Sequence, residues 1–275
     1  MRQTSDTEPV SFNKSTHSSK VVRMATLTPN GLVPHDDFPF KPYEAVHAKV
    51  VARWSTALSY HQYSGAWNAL AYRFHGSIDA GTKFQKSLRD HGSHAAPHQR
   101  YQQEEALFNF FSNGFAAFEA LFYGLFAVGS FIDAASFPLT TQKEQQRVSP
   151  SHTGEAFKRA FPGDPLLNAF ASLFSDPAYQ RWRDMRNVLT HRAAPGRRVY
   201  VGIGSDDAPP VEWKLNDLPL DAALVPKHQQ ELAQLISDVI SAAETFLGSG
   251  LIGHSQKMTV AASAMAEKKA VGQRS

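Results

Sequence analysis

Residues 183–192 read RDMRNVLTHR, which puts three arginines and one histidine in ten positions. Both residue types act on anions and protons. A guanidinium presents a planar fork of donors that meets phosphate or carboxylate oxygens two at a time. An imidazole titrates near neutral pH and serves as acid or base. The wider segment YQRWRDMRNVLTHRAAPGRR, residues 179–198, holds arginines at 181, 183, 186, 192, 197 and 198, with Asp184 as its one acid. On a helix, Arg183, Asn187 and His191 fall at i, i+4 and i+8 and share a face. Arg186 lies about 140° round the helix from His191. Trp182, Met185 and Leu189 take the packed side. Two readings fit such a helix: a solvated face whose cations suit a helix C-terminus, and a site for a negatively charged ligand.

Other chemistries have weaker support. The chain has no cysteine, which excludes disulfides, thiolate nucleophiles and Cys-ligated zinc. His91, His94 and His98 have a spacing that can ligate a metal. Gly92 and Pro97 place them in a loop, however, and Asp90 is the one acid nearby. They read as loop histidines, so no metal is expected. GSG and GIGS lack the strand–turn–helix setting of a serine nucleophile. There is no phosphate loop of the Walker type, and no cofactor is expected.

The elements that must position the arginine-rich segment are mostly helical. The 275 residues are 42% hydrophobic and 19% charged, with 19 phenylalanines, which suits a chain with a substantial core. The formal charge of +3 is too small a bias to indicate nucleic-acid binding by itself. Residues 43–75 contain no proline and repeat Val46, Val50, Trp54 and Trp67 near helical spacing. Gly76 and Gly81 loosen that pattern. A second helix spans His98 to Val128, where Phe108, Phe111, Phe115, Phe118 and Phe122 step by 3, 4, 3 and 4 along one face. Residues 133–152 are a polar connection and residues 153–161 a short helix. A third long helix runs from Pro165 to His191, with a break or kink at Asp176–Pro177. RVYVGI and VEWKL alternate and form a β-hairpin. A last helix runs from Pro226 to Leu247. The expected fold is all-α: an up-down helical bundle with a small β-hairpin insertion before the last helix. Residues 1–40, rich in Ser, Thr, Pro and Asn, read as a disordered tail, with Met24 as a second candidate start. Residues 41–248 form the helical domain, and residues 249–275 a flexible tail.

Residues 115–132, FAAFEALFYGLFAVGSFI, approach membrane-spanning length with Glu119 as the single charge. The same helix continues upstream through polar QRYQQEEALFNF and has no basic flank, so it reads as a buried core helix. The N-terminus has no apolar run of the secretory kind. With the lack of cysteine, this fits a cytoplasmic protein without membrane contact.

Arg186, Asn187 and His191 together form R-N-x-x-x-H, which resembles the R-x(4–6)-H motif of the HEPN superfamily. Its members are small all-helical domains in which a polar residue likewise follows the arginine. The motif lies on the penultimate long helix, and the resemblance spans roughly residues 43–247. It implies a metal-independent endoribonuclease, a toxin or defence effector that works as a homodimer with two motifs facing across a cleft. His191 would be general base or acid at a ribose 2′-hydroxyl, and Arg186 would hold the scissile phosphate. Asn187 would orient one of these, and Arg181, Arg183 and Arg192 would grip the RNA backbone. The alternative is a HEPN-like module that has kept the fold but serves in binding or as a scaffold. Some resembling toxins carry a tyrosine two residues after the histidine, the target of a partner nucleotidyltransferase. Ala193 stands there in this chain, so that control is not expected, while a separate antitoxin remains compatible.

Two expectations go beyond the motif. Glu119 borders the phenylalanine stripe, and a half-buried carboxylate needs a cation. Arg183 or Arg186 on the packed third helix can supply it and be oriented in return. The stripe also exceeds what one bundle core needs, which leaves part of it for a dimer interface.

Overall fold

The computed structural model describes residues 27–29, 31–191, 195–198 and 212–250. Most of both expected tails, Arg192, Ala193 and most of the RVYVGI run lie outside the described residues. Eight α-helices are described: α1 (Phe40–Trp54), α2 (Tyr60–His91), α3 (Pro97–Ile132), α4 (Gln142–Arg147), α5 (Pro150–Ala160), α6 (Leu166–Ser175), α7 (Pro177–His191) and α8 (Leu224–Thr245). Three short strands, β1 (Gly196–Arg198), β2 (Glu212–Leu215) and β3 (Leu218–Pro219), form an antiparallel sheet in that order. The fold is thus mostly helical, with the small sheet inserted before the last long helix.

The spine is the antiparallel pair α2 and α3, of 32 and 36 residues. The single helix expected over residues 43–75 is two. Trp54 to Ser59 form turns, in which Ala57 N–H donates to the Trp54 carbonyl and Tyr60 N–H to that of Ala57. Ser55, Thr56 and Ser59 crowd this stretch, and such side chains compete with the helix for backbone hydrogen bonds. Conversely, α2 runs unbroken through Gly76 and Gly81. Gly81 marks a close approach of helices: a Cβ there would lie 2.7 Å from Val225 of α8 and 3.0 Å from Phe110 of α3. Gly65 has no such role, because a Cβ there would meet nothing within 4 Å. Gly65→Ala is therefore expected to stabilise the protein by about 1 kcal/mol, read as a higher urea midpoint at unchanged m-value.

The aromatic stripe on α3 faces the protein's own core. Phe111, Phe115, Phe118 and Phe122 are buried, while Phe108 is exposed. Phe118 meets Tyr179 of α7 edge-on, and Phe122 packs on Phe170 and Phe174. Of the stripe, only Phe108 is left to an interface with another molecule. By length and composition α3 could cross a membrane, yet 61% of its most apolar stretch is buried inside the protein. Phe38, expected in the N-terminal tail, is buried against Tyr43 and Phe74.

Two shorter segments resolve beyond the sequence pattern. The polar connection contains α4, opened by a capping box in which Thr141 and Glu144 exchange side-chain-to-backbone hydrogen bonds. Of the expected hairpin, VEWKL supplies β2, while RVYVGI is described only at Arg198; the strand paired with β2 is β1, with Arg197 opposite Trp213, and β3 adds a third strand. The Arg197 side chain is only 6% exposed. Its guanidinium lies 3.9 Å from the Trp213 ring centroid and donates to Gln103 Oε1 at 2.8 Å. Buried Gln103 in turn donates to the carbonyls of Ser87 and Gly92. This arginine fastens the sheet to the α2–α3 turn, so it is not free to meet a ligand.

Buried His228 on α8 lies edge-on to Phe111 and Trp182, and its Nδ1 is 2.8 Å from the Leu224 carbonyl. Burial lowers its pKa below the usual 6.5, against the opposing pull of the Leu224 carbonyl and Glu231. The folded state favours the neutral ring, so unfolding takes up a proton below about pH 6.5. The stabilisation is complete above that pH and declines as pH falls towards the lowered value. Half-buried His47 adds in the same direction. Unfolding free energy measured by urea at pH 7.5 and 5.5 is expected to fall, and to fall less in His228→Gln.

Candidate functional site

Helix α7 is delimited by local chemistry. Pro177 stands at its first position, where the missing N–H is no loss. The preceding Asp176 is extended, and its carboxylate accepts from Ala178 N–H at 2.6 Å. The break or kink expected at Asp176–Pro177 is a full break between α6 and α7. Ala178, Tyr179, Trp182, Met185 and Val188 face inward at helical spacing. Trp182 fixes the seat of the helix. Its ring lies over Gly114 of α3, where an added Cβ would come within 2.2 Å of Cζ3. Phe110 and Phe111 flank it at ring separations of 5.0 and 5.1 Å.

This packing turns Arg186 towards α3. Its Nη2 donates to Glu119 Oε1 at 3.3 Å, and its Nη1 to Asn187 Oδ1 at 3.1 Å. Its Cζ lies 5.6 Å from the Phe115 ring centroid. The structure thus brings together three of the residues singled out from sequence, and the cation expected for Glu119 is Arg186 rather than Arg183. The two side chains are 30% and 43% exposed. A pair this wet adds only about 0–1 kcal/mol to stability. What it supplies is orientation: a carboxylate, an amide and an aromatic face hold one guanidinium at the surface, with donors remaining for an anion.

His191 is the last residue of α7 and is exposed, with no hydrogen-bond partner among the described residues. It sits on the solvent side of the helix, about 140° round from Arg186. One chain does not place the imidazole and the guanidinium against each other. Among the described residues Arg183 bonds to the adjacent Asp184 alone, at 3.2 Å, and its side chain is 43% exposed. Arg181 points the other way and donates to Glu231 of α8 at 2.7 Å, which anchors α7 to α8.

A groove of about 490 Å³ lies beside the Glu119–Arg186 pair, between α2, α3 and the start of α5. Its wall carries a hydrogen-bonded chain that sequence reading did not single out. The Tyr123 hydroxyl donates to Gln62 Oε1 at 2.7 Å, and Gln62 Nε2 lies 3.1 Å from His61 Nε2. Burial raises the Tyr123 pKa and keeps the phenol protonated. Of the three histidines expected in a loop, His91 closes α2, His98 lies in the first turn of α3 and only His94 falls between them, and among the described residues no group of three or more His, Cys, Asp or Glu side chains is placed to hold a metal ion. Compared with known proteins, the chain matches no family model, no curated protein and no solved structure.

Proposed function

We propose that this chain is a metal-independent endoribonuclease of the HEPN kind, acting as a homodimer, with Arg186 as phosphate holder and His191 as proton-transfer group. The observation that supports it most is the setting of Arg186, held by Glu119 and Asn187 while its remaining donors face solvent. A guanidinium fixed in this way is preorganised for a phosphate that gains charge in a transition state. In the reaction, His191 takes the proton of a ribose 2′-hydroxyl. The 2′-oxygen bonds to phosphorus, the bond to the 5′-oxygen breaks, and the leaving oxygen takes up a proton. Pairing two copies so that α7 faces α7 would join one chain's imidazole to the other's arginine. Arg183 adds attraction to the RNA backbone, as Arg192 does in the sequence pattern. An effector role as a toxin or in defence, restrained by an antitoxin, fits such an activity.

A second reading has an observation of its own. Arg186 and His191 lie on different sides of α7, which suits a binding or scaffold module that meets an anionic partner through the arginines alone. Cells expressing wild type or His191→Ala separate the two readings. Growth arrest with fragmented total RNA from the wild type alone supports the nuclease. Neither arrest nor fragments from either chain supports the module, and equal arrest from both would mean that the motif is not the site.

A further inference from the structure

Resting on the ribonuclease reading, we propose that the groove beside Glu119 is a guanine-binding subsite of the RNA site. The groove's volume of about 490 Å³ lies within the range of small-molecule sites. Ala66, Ala69 and Ala120 give it apolar wall, against which the flat face of a base can lie. Gln62, Tyr123 and Glu119 give it polar edge. The orientation of the amide follows from its neighbours. The Tyr123 hydroxyl donates to Gln62 Oε1, so Nε2 faces His61. His61 accepts there through Nε2 and carries its proton on Nδ1, which donates to the Leu58 carbonyl at 3.1 Å. One N–H of Gln62 remains as a donor.

Glu119 stands one helical turn before Tyr123 on the same face of α3. Its Oε1 accepts from Arg186, and Oε2 has no partner among the described residues. The groove edge therefore offers carboxylate acceptors beside an amide donor. Guanine presents the complement: N1–H and the N2 amine as adjacent donors, followed by the O6 acceptor. Adenine and cytosine each put a ring-nitrogen lone pair next to their amine, which a carboxylate repels. Uracil has one N–H between two carbonyls. Single-stranded RNA is read through such edges of splayed bases.

The test is calorimetric titration of the full chain with 5′-GMP, 5′-AMP, 5′-CMP and 5′-UMP. GMP is expected to bind about tenfold or more tightly than the others. Gln62→Ala removes the amide donor, and Gly65→Phe fills the groove from an open position on α2. Gly65→Phe is expected to abolish the preference and Gln62→Ala, which leaves Glu119 in place, to weaken it, each with a cooperative melting transition retained. Equal binding of the four nucleotides, or a guanine preference that survives both substitutions, would overturn the subsite. The readout is binding, so the two ideas fail separately. A chain that selects GMP in this groove yet cuts no RNA contradicts the nuclease and leaves the subsite standing. A chain that cuts RNA while binding all four alike loses the subsite alone.

Discussion

Purified His191→Ala is expected to cut RNA more slowly than the wild type by about 10²–10⁴-fold, the usual contribution of a positioned general acid or base. The imidazole is exposed at the end of α7 and has no partner among the described residues. Its removal should therefore shift stability by no more than about 0.5 kcal/mol. Coupling the two measurements gives the prediction its force, since a variant that loses activity and fold together would make His191 structural. Arg186→Ala is expected to cost about 10²–10³-fold, on the scale of one lost transition-state donor. It also leaves Glu119 without its cation, but that carboxylate is wet enough for the fold to survive. Initial rates on a labelled RNA, beside thermal melts of the same preparations, check both variants.

Trp182→Ala is the substitution expected to damage the fold most, by about 3–5 kcal/mol. The indole is fully buried and joins α7 to α3 through Phe110, Phe111 and Gly114. Its Nε1 has no hydrogen-bond partner among the described residues, so the loss is one of packing rather than of a polar contact. Gly114→Ala strikes the same contact from the other helix. The new methyl would overlap a ring with no room to retreat, at a cost of about 1–3 kcal/mol. Urea denaturation of the two variants reads both effects. Wild-type stability in Trp182→Ala would mean that α7 is held elsewhere, through Arg181 and Glu231 or the Tyr179 contacts. Because α7 carries Arg186, both variants should also lose whatever activity depends on the Glu119 contact, even though neither touches a ligand.

The sequence made some of this geometry legible for local reasons. Asp176–Pro177 marks a helix boundary through the missing proline donor, and the break is there. Glu119 on an apolar stripe demanded a cation, and a helix packed on that stripe had two to offer. Other features depended on contacts between distant residues. The arginines at 181, 183, 186 and 197 look alike in sequence. Only the fold sends Arg181 to Glu231, buries Arg197 on Trp213 and leaves Arg183 near solvent. The glycines of α2 read as interruptions because their periodicity does not reveal a neighbouring helix. Phe108 continues the stripe by spacing, yet it is exposed. The Gln62–Tyr123 contact joins positions 61 residues apart, and no local pattern announces it.

The central claim is metal-free cleavage by Arg186 and His191. Incubating purified protein with a labelled single-stranded RNA in excess EDTA, and identifying the new ends, tests it most directly. Transesterification predicts 2′,3′-cyclic phosphate and 5′-hydroxyl termini from the wild type, undiminished by EDTA. It predicts none from His191→Ala or from an RNA whose 2′-hydroxyls are methylated. Cleavage that EDTA abolishes, or that continues unchanged in His191→Ala, would contradict the claim.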